Sequence, residues 1–131
     1  MPANFLRPFN ASIAFAQLAE ECRRAGQNEE AVAICLAGLS FHPQYLSARV
    51  TLGRALSELG RLDEARSELG IVLAAAPDNL AANRAMAEVQ QRLDRLPEAL
   101  HFYKRALELA RHDPDLEHAV ETIQLAVSPP A

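Results

Sequence analysis

The hydrophobic and polar positions of this chain recur with a period of 34 residues. Glycine occupies positions 26 and 60, and proline occupies positions 43 and 77. The same spacing relates two further series, which are Ala31, Ala65, Ala99 and Leu18, Leu52, Met86. Self-similarity at a fixed period is typical of repeat architectures. The sequence therefore predicts three units, residues 12–45, 46–79 and 80–113.

Each unit contains two blocks of apolar residues at helical spacing, with a turn between them. In the first unit the blocks are Phe15, Leu18, Ala19, Cys22 and then Ala31, Ile34, Cys35, Gly38. The glycines follow the first block, where a helix end favours left-handed backbone, and the prolines follow the second. We expect Asn28 to cap the second helix of the first unit, and Pro97 to lie in a first helical turn. Each unit is thus predicted to be a helix, a tight turn and a second helix.

The two ends of the chain carry different signals. Asp113 and Pro114 can start a helix, and Leu116, Ala119, Val120 and Ile123 form one apolar face after them. Residues 114–127 are therefore predicted to be a capping helix over the last repeat. Residues 1–11 are either a short arm over the first repeat or a disordered tail, and both interpretations stay open. Residues 128–131 are a Pro-rich tail or the start of a linker.

This pattern resembles the tetratricopeptide repeat family, whose unit is a 34-residue helix-turn-helix. The family places small residues at positions 8 and 20, where this chain has Ala19, Gly53, Ala87 and Ala31, Ala65, Ala99. The chain departs from the family at position 4, usually bulky, where Phe15 is followed by Arg49 and Asn83. The resemblance extends over residues 12–113. It implies an all-α fold, a right-handed α-solenoid of three repeats plus the C-terminal capping helix.

The resemblance also implies a binding surface, because the first helices of such repeats line a concave groove that holds a partner. The corresponding residues here are Ile13, Ala16, Gln17, Glu20, Arg24, Val50, Thr51, Arg54, Glu58, Arg84, Ala85, Glu88 and Arg92. Their charges alternate, and three oppositely charged pairs lie four residues apart on one helix, which are Glu20 with Arg24, Arg54 with Glu58 and Glu88 with Arg92. The groove is thus expected to neutralise itself and to suit a peptide or helix with small apolar anchors. The alternative, that these charges only solvate and brace the helices, stays open.

Some members of the family bind a chaperone tail by clamping its terminal carboxylate with lysine, arginine and asparagine side chains. The corresponding positions in this sequence hold Ala16, Glu20, Thr51, Ala81 and Ala85. None of these residues is basic. We therefore do not expect this chain to recognise a chaperone tail.

Composition narrows the function classes. The 13 basic and 17 acidic residues leave a formal charge of −4, which argues against nucleic acid as the main partner. Two cysteines cannot hold together a disulfide-rich secreted domain. The sequence shows no targeting signal and no apolar run of the roughly 20 residues that span a bilayer. We expect a cytoplasmic protein that binds neither membrane nor nucleic acid.

The sequence carries few candidates for chemistry. It has no phosphate-binding glycine loop, no nucleophile turn and no paired metal-binding histidines. His112 and His118 lie near acidic residues, but their spacing fits no known metal motif. Cys22 and Cys35 occupy core positions and are expected to be buried thiols, with a reactive pair as the alternative. No cofactor, metal or catalytic residue is predicted.

These observations favour a non-catalytic module that binds a peptide or helix of a partner protein in the groove. The runner-up is a structural subunit that stacks on itself, through repeat ends or through an arm in the groove. The sequence leaves homo-oligomer formation open, because both functions use the same fold.

Overall fold

The computed structural model describes residues 8–129, and the side chains of residues 14–129. Within that range the chain forms helices and no strands. The helices are α1 (Pro8–Arg24), α2 (Asn28–Phe41), α3 (Leu46–Glu58), α4 (Leu62–Ala75), α5 (Leu80–Arg92), α6 (Leu96–Leu109) and α7 (Pro114–Val127). Residues 8–11, counted with the N-terminal arm in the sequence prediction, lie in α1, and residues 1–7 are outside the described range. No helix of the described part is long and apolar enough to cross a membrane.

The chain divides into two compact units, and the boundary between Glu68 and Leu69 lies within α4. In the first unit α1 packs against α2 and α3, and α2 packs against α3. In the second unit α6 packs against α5 and α7. The small residues at repeat positions 8 and 20 are buried in both units, which allows neighbouring helices to approach closely. These residues are Ala19, Ala31, Gly53, Ala65, Ala87 and Ala99.

Three helices end in the same way. Gly26 and Gly60 have φ values of 81° and 79°, and Asp94, the equivalent residue after α5, has a φ of 60°. At each turn the residue after this position donates its amide to the carbonyl five residues earlier, as Gln27 does to Cys22 at 2.8 Å. This is a Schellman motif, which needs left-handed backbone and therefore favours glycine. The left-handed turns predicted at the two glycines are confirmed.

Helix starts agree with the sequence in two places and differ in one. Pro97 lies in the first turn of α6, and the Asp113 side chain caps α7 by accepting the amides of Asp115 and Leu116. The predicted cap at Asn28 is wrong. Gln27 is the cap residue of α2 and uses no side-chain hydrogen bond, while Asn28 is already helical with a buried, unpaired Oδ1. The Schellman motif fixes the backbone up to Gln27 and so places the helix start one residue earlier than predicted.

Position 4 of the repeat is used differently in each predicted unit. The Phe15 ring packs against Gly38, where an added Cβ would come within 2.1 Å of the ring. Arg49 instead donates to the Pro43 carbonyl at 2.6 Å and to Glu68 at 2.7 Å. Asn83 donates to the Pro77 carbonyl at 2.9 Å. Arg49 and Asn83 thus each donate to the carbonyl of the proline six residues earlier. This shared hydrogen bond accounts for a polar side chain at a position that the family usually fills with a bulky residue.

The capping helix α7 buries one face. Leu116 and Ile123 are in the core of the second unit together with Leu100 and Tyr103, and Ala119 and Val120 pack against that core. The apolar face predicted for residues 114–127 is therefore confirmed, and it covers the last helical hairpin of the second unit.

Candidate partner-binding surface

The Glu20 carboxylate lies at the centre of a polar network on α1 and α3. Its Oε1 accepts Nε of Arg23 at 2.8 Å, and its Oε2 accepts Nη2 of the same arginine at 2.7 Å. Oε2 also accepts Nε of Arg24 at 3.1 Å. The Thr51 hydroxyl lies 3.2 Å from Oε1 and also 3.2 Å from the Ser47 carbonyl, and the charged carboxylate is the stronger acceptor of the two. Both oxygen atoms of Glu20 therefore have two donors each.

This network holds Glu20 ionised. The hydrogen bond from Arg23 lowers the pKa of Glu20 to about 2, and the charge of Arg23, the Thr51 hydroxyl and the charge of Arg54 act in the same direction. Burial opposes them but is outweighed. The same hydrogen bond raises the pKa of Arg23, and the charge of Glu58 contributes to that rise. Charges on α1 and α3 are thus close enough to influence each other.

Arg23 is a part of the surface that the sequence reasoning missed. Its side chain is 13% exposed and makes the bidentate contact with Glu20. The three-residue spacing of Glu20 and Arg23 could have predicted this contact, because side chains three or four residues apart on a helix are neighbours. The prediction considered only pairs four residues apart.

The predicted ion pairs of the first unit are partly formed. Glu20 and Arg24 are paired as expected at 3.1 Å. Arg54 and Glu58 are both exposed, and neither takes part in an ion pair among the described residues. Exposed pairs at this spacing are worth only a few tenths of a kcal/mol, roughly 0.3–0.5, which is too little to order two long side chains. The ion pair between Arg54 and Glu58 that the sequence predicted is therefore absent among the described residues.

The remaining predicted residues of the first unit form the surroundings of these charges. Ala16 is half-buried and Gln17 is exposed, while Val50 and Thr51 are each only 7% exposed. Ile13 lies in α1, but its side chain is outside the described range. Small or buried residues thus accompany the charged side chains on α1 and α3.

The predicted residues of the second unit lie on α5. Arg84 pairs with Asp113, the cap residue of α7, at 3.4 Å. Glu88 and Arg92 are exposed and Ala85 is buried. Nearby, the Tyr103 hydroxyl donates to Oε1 of Gln91 at 2.8 Å. Burial raises the pKa of Tyr103, Glu88 adds to the rise and Arg84 opposes it.

Two pockets lie away from the predicted residues, one in each unit. The first has a volume of about 270 Å³ and is lined by Val32, Leu36, Leu52, Leu56, Arg61, Glu64, Ser67 and Glu68. The second has a volume of about 330 Å³ and is lined by Leu73, Pro77, Asn83, His101, Phe102 and Arg105. Both are open and near the lower limit of the volumes typical of small-molecule sites.

The cysteines are buried and free, as expected for core thiols. The Cys35 thiol donates to the Ala48 carbonyl at 3.4 Å, and burial raises the pKa of this thiol to about 12. A thiol that stays protonated at neutral pH is a poor nucleophile. In residues 8–129 no group of three or more His, Cys, Asp or Glu side chains is placed to hold a metal ion.

A family model matches part of the chain. Residues 23–76 match the model described as tetratricopeptide repeat. The predicted resemblance to the tetratricopeptide repeat is confirmed. The chain has the all-α fold of tetratricopeptide repeat domains. The first tetratricopeptide repeat domain of human RPAP3 superimposes on this chain with a TM-score of 0.85 at 19% identity. That match covers 92% of this chain and 94% of the RPAP3 domain. Among curated proteins, none matches this sequence.

Two further tetratricopeptide repeat neighbours are complexes with peptides. The second such domain of human RPAP3, in complex with an HSP70 peptide, has a TM-score of 0.81 at 14% identity and covers 90% of this chain and 98% of its own. The Yersinia enterocolitica type III secretion chaperone SycD, in complex with a peptide of the translocator YopD, has a TM-score of 0.78 at 19% identity. That match covers 87% of this chain and 92% of the SycD chain. At these identities the likeness concerns the fold.

Proposed function

We propose that this chain is an interaction module that binds a peptide segment of a partner protein. In the first unit the proposed contact is the face of α1 and α3 that carries Glu20, Arg24 and Arg54. In the second unit the predicted residues of α5 are a separate candidate contact. The observation that carries the proposal is the Glu20 network, which holds charged side chains in defined positions on α1 and α3. Three side chains, those of Arg23, Arg24 and Thr51, are held around this one carboxylate, so the charged groups next to it have fixed positions.

Fold neighbours support the same function. RPAP3 and SycD are each seen with a peptide of another protein, HSP70 and YopD respectively. Fold alone does not determine a ligand, so the residues of this chain must decide which peptide it takes. The positions that clamp a chaperone tail in the family hold Glu20 and Thr51 among others, and these two bond to each other here. We therefore propose a partner other than a chaperone tail.

The proposal is tested with a displayed library of random 12-residue peptides selected on the wild-type chain. Enriched peptides are titrated into the labelled chain, and amide chemical shifts are followed by NMR. We expect saturable binding with the largest shifts in the first-of-pair helices, which are α1 and α3 in the first unit and α5 in the second. Failure to obtain any saturable peptide, or shifts confined to α2, α4 and α6, contradicts the proposed function.

The alternative function is self-assembly, and it makes a different prediction about mass. A subunit that stacks on itself gives a mass that rises with concentration, whereas a peptide-binding module stays at one mass over the same range. Sedimentation equilibrium from micromolar to millimolar chain concentration separates the two. A rising mass that is abolished by deletion of residues 1–11 favours assembly.

A further inference from the structure

The Glu20 carboxylate is already fully used by the protein itself. An ionised carboxylate offers about four acceptor positions on its two oxygens. Arg23 fills two of them, Arg24 fills a third and the Thr51 hydroxyl approaches the fourth. Glu20 therefore has no acceptor position left for a lysine or arginine of a partner.

Two arginines of the same surface remain available. Arg54 is exposed and makes no hydrogen bond or ion pair within the described residues, although it is close enough to Glu20 to affect that carboxylate. Arg24 bonds Glu20 through Nε, and its side chain is 74% exposed, so most of its guanidinium group is accessible. Two exposed carboxylates, Glu21 and Glu58, balance these two cations in number. What sets the arginines apart is that Arg54 has no carboxylate partner within the described residues, and that Arg24 uses only its Nε atom on Glu20.

The residues beside these arginines are small or buried. Ala16 is half-buried, and Val50 and Thr51 are buried. They can contact a small apolar side chain of the partner, but they carry no charge with which a second charged residue of the partner could pair. The arginine guanidinium group binds carboxylates through parallel hydrogen bonds and is the best-suited side chain for that contact.

We propose that the surface of α1 and α3 binds a partner segment through an internal aspartate or glutamate side chain, held by Arg54 with Arg24, next to a small apolar residue. This inference rests on the proposed peptide-binding function and names the partner's chemistry. The arginines occupy positions other than those of the chaperone-tail clamp, and the acidic group comes from a side chain and not from a chain end.

The test uses the full chain and peptides selected from the same random library, synthesised with amidated C-termini. Affinities are measured by fluorescence anisotropy for each peptide and for its variant with Asp→Asn or Glu→Gln. We expect the acidic peptides to bind about ten-fold or more tightly than their amide variants. Binding that is lost when the C-terminus is amidated shows recognition of a chain end and overturns the proposal.

A double-mutant cycle assigns the contact to Arg54. Arg54→Gln is expected to weaken the acidic peptide about ten-fold and to leave the amide variant nearly unchanged, so the two losses do not add. Arg66→Gln is the matched control, because Arg66 is an arginine of α4 that forms an ion pair with Asp63 on its own helix. Circular dichroism confirms that each variant is folded. Additive losses, or an equal effect of Arg66→Gln, overturn the role of Arg54.

The outcomes separate this inference from the function on which it rests. If peptides bind saturably on α1 and α3 but their affinity does not depend on an acidic side chain, the peptide-binding function stands and the carboxylate contact is overturned. If no peptide binds, both are overturned.

Discussion

At the residue scale, the account depends on Glu20. Its hydrogen bonds to Arg23, Arg24 and Thr51 join two helices that are far apart in sequence, and they explain why the pKa of this carboxyl group is lowered to about 2. A charged hydrogen bond of this kind stabilises the folded state by roughly 1.5–3 kcal/mol. Glu20 therefore supports the surface structurally, and we propose that it does not itself contact the partner.

The Glu20→Gln variant is expected to unfold more easily than wild type at pH 7, by about 1–3 kcal/mol, because the charge that Arg23 and Arg24 bind is lost. The pKa of Glu20 is lower in the folded chain, so the contribution of its charge is complete above the ordinary value of 4.5 and is lost as pH falls toward 2. Urea unfolding at pH 7, 4 and 2 measures this difference. It should shrink below pH 4.5 and be nearly absent at pH 2.

The matched control is Glu21→Gln, which removes an exposed carboxylate from the neighbouring position of the same helix. Its effect should stay within about 0.5 kcal/mol at every pH. An equal loss of stability in the two variants, or a loss at Glu20 that does not depend on pH, contradicts the role assigned to the Glu20 network.

At the element scale, glycines of the chain have two distinct roles. Gly60 follows α3 and has a φ of 79°, which is unfavourable for a residue with a Cβ. A Cβ added at this position would have no heavy atom within 4 Å. Gly70 lies inside α4, and the nearest heavy atom to an added Cβ is Cε of Met86 at 4.0 Å. The same substitution thus has opposite expected effects at the two positions.

Gly60→Ala is expected to destabilise the chain by about 1–2 kcal/mol, because left-handed backbone is costly for a residue with a Cβ. Gly70→Ala is expected to stabilise it by about 0.5–1 kcal/mol, since alanine is the better helix former. Thermal and urea unfolding of both variants measure these changes. Two effects of the same sign contradict the turn geometry or the helical environment described here.

Much of the element structure could be predicted because it depends on local sequence. The turn at Gly60, the start of α6 at Pro97 and the cap at Asp113 each follow from one residue and its neighbours along the chain. The turn at Asp94 uses the same backbone without glycine, which only the structure reveals. The cap predicted at Asn28 failed because two adjacent motifs compete for the same residues.

Contacts between helices could not be predicted in the same way. The Arg49–Glu68 and Arg84–Asp113 pairs join residues 19 and 29 positions apart, so they depend on how helices pack. The candidate surface was predicted by resemblance to the tetratricopeptide repeat and its residues stay a prediction. What the structure adds is the ordering of charges around Glu20, which depends on Thr51 of another helix.

At the scale of the whole molecule, net charge is a poor guide to the partner. The formal charge of −4 sums acidic and basic residues over all 131 positions. Recognition depends on the charges that stay accessible on one surface, because charges further apart than about 10 Å are largely screened by salt. On α1 and α3 the exposed charges are Arg24 and Arg54 with Glu21 and Glu58, which balance in number, but Arg54 makes no ion pair within the described residues.

The central claim, that a partner peptide contacts the predicted residues of α1 and α3 and, separately, those of α5, is tested most directly by paired charge reversals. The affinity of a selected peptide is measured for the Arg54→Glu, Arg84→Glu double variant and for the Arg66→Glu, Arg95→Glu control. The account predicts a loss of about ten-fold or more in the first and less than about two-fold in the second, with helical content retained in both. Equal affinities of the two double variants would contradict it.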